Sequence, residues 1–161
     1  MCSSIKLKYI LSFALTMLLV TVCGSLSAIT VPQTTEQLVE NSSDVIRGNV
    51  ISQKSQWDES HSTIYTEIEI EVSEVVIGSI EEGRTVTVFV PGGQVGDTGL
   101  AVEHAAEFKD GEDVVLFLTV AQGRYGVTSW ELGKFSVESG NIKSKNISVT
   151  EFIEEIKAVK R

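Results

Sequence analysis

The chain has 161 residues, with 22 Asp and Glu against 13 Lys and Arg and a formal net charge of −9. That balance excludes a binder held to nucleic acid or anionic lipid by charge, because an acidic surface repels phosphate. At 42% hydrophobic, the chain is long enough for one domain with a sizeable core.

Its two cysteines, Cys2 and Cys23, both fall within the first 27 residues. Those residues read as an export signal. Lys6 and Lys8 supply the positive start, and Ile10 to Val22 is an apolar run shorter than the roughly 20 residues of a membrane span. Ser25-Leu26-Ser27 then offers small residues at −3 and −1, which places cleavage before Ala28, with one residue later as the alternative. A lipid tether through Cys23 requires a small residue ahead of it, and Val22 is β-branched, so none is expected. Residues 28–161 are left as one exported domain, secreted or periplasmic, without cysteine and without a stable membrane span. Losing Lys6 and Lys8 takes the charge to −11.

In chain order, Thr34 with Gln37 three residues later forms a capping box that opens a short helix to about Asn41. The period then changes to two. Ile46, Gly48 and Val50 share one face of a strand. In the next strand Ile64, Thr66, Ile68, Ile70 and Val72 face one way, with Tyr65, Glu67, Glu69 and Glu71 opposite. The phase slips at Ser73 to Val76, as a bulge requires. A turn at Gly78 to Gly83 leads to Val86, Val88 and Val90, which resume the alternation up to Pro91-Gly92-Gly93.

Gln94 to Lys109 is the least regular stretch, long for a connection inside a domain. Its apolar triplet Leu100-Ala101-Val102 either folds back over the barrel or projects. Partial cover with an exposed tip near Gly96 is favoured, because a solvated triplet forfeits burial. Val114 to Leu118 is apolar without alternation and so reads as a strand buried on both faces. Gln122 to Arg124 is a hairpin turn before strands at Tyr125 to Trp130 and Lys134 to Val137. Ser148 and Glu151 form a second capping box. Val149, Phe152, Ile153, Ile156 and Val159 make the apolar stripe of a closing helix. The expected core is Ile46, Val50, Ile68, Ile70, Val72, Val86, Val88, Val115, Leu116, Leu118, Phe152 and Ile156.

The chemistry-bearing residues are few. There is no G-x-S-x-G, and only His61 and His104 are available as bases. Ser60 and Ser62 flank His61, but neighbours on a strand point apart. Asp58, Glu59 and His61 crowd one loop; Glu103, His104 and Glu107 crowd another. The two clusters would supply metal ligands only if the loops met, since neither has H-E-x-x-H or paired-Cys spacing. Glu67, Glu69 and Glu71 lie ~7 Å apart on one strand face, either a surface for cations or basic peptides or a wet face paired to Arg47 or Arg84. Trp57, Tyr65 and Trp130 suit either a groove or the core.

Ser43-Asp44-Val45-Ile46-Arg47-Gly48-Asn49-Val50, Ile64-Tyr65-Thr66, Pro91-Gly92-Gly93, the run from Phe108 to Leu118 and Gly133-Lys134-Phe135 together resemble a family of uncharacterised bacterial exported domains. The order of elements also resembles netrin-like domains, the OB-type barrels of tissue inhibitors of metalloproteinases. The resemblance implies a mainly β, OB-like, netrin-like antiparallel barrel with a short N-terminal and an amphipathic C-terminal helix. It does not carry over the inhibitory chemistry, which chelates zinc through an N-terminal cysteine that residues 28–161 lack. The expected function is a non-catalytic binding or accessory domain of the envelope or extracellular space. It needs no cofactor and engages another exported protein through Trp57 and the segment Gln94, Val95, Gly96 and Asp97. The alternative is a metal-binding protein or metal-dependent enzyme using His61 and His104 with carboxylates such as Glu103.

Overall fold

The structure is a computed structural model that describes residues 33–160. The leader, Cys23 and the cleavage site before Ala28 lie outside these residues. Helix α1 spans Thr35–Glu40. Its capping box is complete: Thr34 Oγ1 accepts the Gln37 N–H at 3.3 Å and Gln37 Oε1 accepts the Thr34 N–H at 3.1 Å.

Strands β1 (Asp44–Trp57) and β2 (Ile64–Ile77) form a long antiparallel hairpin. β1 runs seven residues beyond the stretch whose alternation marks it. Ser52 to Gln56 is polar throughout, and pairing with β2, not pattern, keeps it extended. The phase slip is real, since Ile46 pairs with Val75 but Val45 with Ile77, and Arg47 pairs with Glu74 but Gly48 with Val72. Ser73 and Val76 are thus the extra residues of two bulges. They turn β2 so that Val72 serves one core while Val76 and Ile77 serve another.

β3 (Thr85–Pro91) pairs with β2. A separate small hairpin follows, β4 (Gly93–Val95) with β5 (Thr98–Leu100). β6 (Asp113–Ala121) and β7 (Arg124–Val127) form the next hairpin. A 3₁₀ turn at Trp130–Gly133 leads into β8 (Lys134–Glu138), and then come β9 (Asn141–Ile142) and β10 (Ile147–Ser148). Trp130 therefore ends up in a turn and not in the strand expected for Tyr125 to Trp130. Helix α2 covers Val149–Val159. Ser148 Oγ accepts the Glu151 N–H at 3.1 Å, so the Ser148 half of the second capping box is formed.

The ring order is β1-β2-β3-β7-β6, with β6 returning to pair with β1 from Asp44↔Leu118 to Asn49↔Asp113. Four of its five seams are antiparallel. The fifth, β3 with β7, is parallel and rests on the single pair Val88↔Tyr125, so closure is partial. This is a mainly β, OB-like barrel. Among the described residues no helix is long and apolar enough to cross a membrane.

β6 explains how two cores coexist. Val114, Leu116 and Leu118 point into the barrel with Ile46, Ile68 and Val88. Val115 and Phe117 point the other way, under α1 and α2, with Leu38, Phe152 and Ile156. A strand buried on both faces has no wet side, hence its unbroken apolar run. All twelve residues expected in the core are buried. The acidic ladder, by contrast, is not relieved by the arginines proposed for it. Arg47 pairs with Asp113 at 2.7 Å and Arg84 with Glu81 at 2.8 Å. Glu69 instead accepts a hydrogen bond from Ser52 at 2.6 Å.

Candidate functional site

The site is built at the mouth of the barrel, where Pro91-Gly92-Gly93 ends β3. Gly93 has φ +133°, and any Cβ there would collide with the hydroxyls of Ser55 and Thr66. Those hydroxyls lie 2.9 Å apart, and Thr66 Oγ1 donates to the Gly92 carbonyl at 2.7 Å. The glycine pair thus latches the β4–β5 hairpin onto the ends of β1 and β2. Gly93→Ala is expected to destabilise the domain by about 2–3 kcal/mol through overpacking and strain. Gly96→Ala, at φ +60° with open space around it, should lose only about 1 kcal/mol. Urea unfolding of the two variants checks the difference.

Beyond the hairpin, residues 101–109 cross the barrel mouth as a roof. The plug is Ala106 with Phe108, both in the barrel core. The triplet gives only partial cover: Leu100 ends the short strand β5, Leu100 and Ala101 are exposed, and Val102 is half-buried. Alanine and phenylalanine further along fit the barrel mouth, and the triplet is left on its rim. The tip near Gly96 is exposed, as expected.

Two anchors fix the roof. At its far end the Lys134 ammonium lies 4.9 Å from the Phe108 ring centroid and 2.7 Å from Glu112 Oε1. Ser136 Oγ also donates to Glu112 at 2.5 Å, and the Lys109 N–H donates to its other oxygen at 3.1 Å. Burial raises the Glu112 pKa, but the hydrogen bonds from Lys134 and Ser136 and the Lys134 charge outweigh it, so the net shift is downward. At the middle of the roof His104, with φ 61°, accepts the Glu131 N–H on its carbonyl at 3.0 Å. Its Nδ1 lies 2.9 Å from Glu131 Oε1, and its Nε2 lies 3.6 Å from Glu103. The hydrogen bond to Glu131 raises the His104 pKa. Of the loop cluster Glu103, His104 and Glu107, the structure brings Glu103 to the ring, while the shorter contact is to Glu131, 27 residues away in sequence and outside any local grouping.

The roof divides two apolar depressions. A cleft of about 390 Å³ lies on the hairpin side, lined mainly by apolar residues such as Ile68, Leu100, Val102 and Phe108, together with the polar Gln53, Thr66 and Glu107. A slot of about 180 Å³ lies on the other side, between Phe89, Gly126, Val127 and Trp130. Val90, Pro91 and Ala106 line both. The result is one continuous apolar strip running from Leu100 to Trp130, two of the four large apolar side chains that are exposed among the described residues. A larger groove of about 550 Å³ beside it is polar, with the Glu112–Lys134–Ser136 cluster among its lining. Those groups already satisfy one another.

Gln94, Val95, Gly96 and Asp97 sit on the hairpin at the Leu100 end of the strip. Trp57 lines neither depression; its ring stacks on His61 in the β1–β2 turn at 6.3 Å between centroids. That turn is organised by Asp58, whose carboxylate accepts from Ser60, Ser62 and the Thr63 N–H. The Ser60 hydrogen bond leads in holding its pKa well below the usual carboxylate range. Tyr65 packs on Phe89 under Arg124, so the three aromatics named from the sequence occupy three different settings. His61 and His104 likewise belong to separate clusters and share no carboxylate. Among the described residues no three His, Cys, Asp or Glu side chains are grouped to hold a metal ion. The sequence pointed to Trp130 only as one aromatic among several; its neighbours Pro91, Ala106 and Val127 carried no chemical signal at all. Comparison of the chain with protein-family models and with curated proteins finds no match, so the reading of this site rests on its own geometry.

Proposed function

We propose that this chain is an exported, non-catalytic binding domain that engages another exported protein across the barrel mouth. The observation that carries the reading is the continuous apolar strip from Leu100 to Trp130, held in place by a latch at one side and the His104–Glu131 clasp at the other. Exposed apolar strips bordered by polar residues are characteristic of protein interaction surfaces, and loops on a rigid barrel carry recognition. The likeness to exported bacterial domains belongs to the same proposal, as its quoted residues include the latch (Thr66, Gly92, Gly93) and the roof anchor (Phe108, Glu112, Lys134).

Two experiments test it. A photo-crosslinking residue at Leu100 should trap a partner from the native exported fraction, and one at Glu154, on the exposed face of α2, should not; equal trapping from both positions would overturn the proposal. Deleting Gln94 to Thr98 should leave the thermal transition nearly unchanged while weakening capture several-fold, because the deleted residues lie beyond the Gly92–Gly93 latch and none of them belongs to either core. A deletion that unfolds the domain would make the hairpin structural.

A further inference from the structure

We infer that Trp130 is the anchor of this surface and that its partner is an extended polypeptide segment carrying an apolar side chain flanked by lysine or arginine. The inference rests on the binding role proposed above and specifies which residue and which chemistry it uses.

The backbone holds Trp130 outward. Ser129 and Trp130 have φ values of 54° and 61°, two consecutive left-handed residues without a glycine, a conformation that side chains resist. Three contacts enforce it. The Glu131 N–H donates to the His104 carbonyl at 3.0 Å, the Leu132 N–H to the Ser129 carbonyl at 3.2 Å, and Gly133 packs so closely on the Thr128 carbonyl that a Cβ would collide. An indole is normally among the more buried side chains, yet this one is 52% exposed. It stacks on no other aromatic ring among the described residues, while Trp57 does.

The slot beside it defines what fits. Its volume of about 180 Å³ is below the roughly 300 Å³ at which small-molecule sites begin, and it suits one side chain of a larger partner. Its lining is apolar, so that side chain is apolar. The wider cleft lies across the Ala106 ridge on the same strip. An extended chain presents alternate side chains to one surface and so reaches both depressions without folding.

Charge selects the flanking residues. The exposed carboxylates on the roof, the 3₁₀ turn and the hairpin tip are Glu103, Glu107, Glu131 and Asp97. The cation nearest the slot, Arg124, is stacked over Phe89 and Tyr65 at 4.8 and 5.6 Å from their centroids. The roof also carries the exposed Lys109 at its far end, where it is outnumbered by these four carboxylates, and the His104 imidazole is clasped by Glu131. A basic segment therefore meets complementary charge and an acidic one is repelled. Trp side chains that become buried on binding are among those that carry most of the binding energy.

The test is selection of a random dodecapeptide phage library on the folded chain, on Trp130→Ala and on Leu100→Asp. Circular dichroism and thermal melting establish that both variants fold. Peptides selected on the wild type should share an apolar residue next to Lys or Arg, bind Trp130→Ala at least tenfold more weakly, and weaken with added salt. An acidic or charge-free consensus would overturn the inference. Peptides that lose affinity for Leu100→Asp but not for Trp130→Ala would also overturn it, while leaving the barrel-mouth proposal standing. Peptides bound equally by all three chains, or no enrichment at all, would overturn both. Saturable quenching of Trp130 by a neutral oligosaccharide, in a Trp57→Phe background without peptide enrichment, would reassign the surface to glycans.

Discussion

Phe117→Ala should destabilise the domain by about 3–5 kcal/mol, the range for truncating a fully buried aromatic ring. Phe117 has no exposed surface and joins Phe135 and Phe152 in a three-ring cluster, with centroid separations of 5.6, 6.3 and 4.8 Å. Its position on β6 makes the prediction sharper than a melting temperature. Phe117 faces the core beneath the helices, whereas Leu116, the residue before it, faces the barrel. Hydrogen exchange on Phe117→Ala should therefore accelerate most in α1 and α2. Leu116→Ala, expected to lose about 2–5 kcal/mol, should accelerate exchange most in β2 and β3. If the two variants loosen the same elements, the two cores are not separate packing units.

The second large effect is expected at Lys134, whose side chain is 11% exposed beside a Glu112 that is 16% exposed. Lys134→Met preserves the contact with Phe108 but strands a largely buried carboxylate. Breaking one partner of a buried pair costs about 3–5 kcal/mol; the residual exposure here brings the expectation to about 2–3 kcal/mol. Lys134→Met with Glu112→Gln should recover at least half, because the amide still accepts hydrogen bonds and carries no charge. The pH dependence has a definite sign. In the wild type the Glu112 pKa is lowered in the folded state. Its contribution is present above the ordinary carboxylate pKa of about 4.3 and is lost as pH falls through the lower folded value. In Lys134→Met the burial that raises the pKa is no longer outweighed by the ammonium. The deficit should be largest near neutral pH and shrink towards pH 4. Urea unfolding at both pH values checks this, and a deficit independent of pH would show that the ion pair is not the cause.

Much of the fold is legible along the chain because its local signals agree with the tertiary outcome. Alternation in β2 and β3 states which side chains enter the barrel, and the unbroken run Val114 to Leu118 states that β6 has two buried faces. Thr34 and Ser148 cap the helices they announce. Even the slip at Ser73 to Val76 is visible, since a bulge shifts the phase of a period-two pattern. Such features depend on neighbours a few residues apart, where geometry is set by the backbone itself.

What only the tertiary structure decided involves partners distant in sequence. The polar half of β1 is a strand because β2 pairs with it, not because Ser52 to Gln56 favour extension. Arg47 meets Asp113 and His104 meets Glu131 across 66 and 27 residues, so neither the arginine partners nor the Glu131 side of the His104 cluster is visible from neighbouring residues. The barrel mouth is the clearest case. Hydrophobicity made Leu100 to Val102 a partial cover, but volume and shape gave the opening itself to Ala106 and Phe108, and left Leu100 and Trp130 exposed at the ends of one strip. Burial by hydrophobicity is additive along a chain; which apolar residue fills a given opening is a question of fit, and fit exists only once the opening has formed.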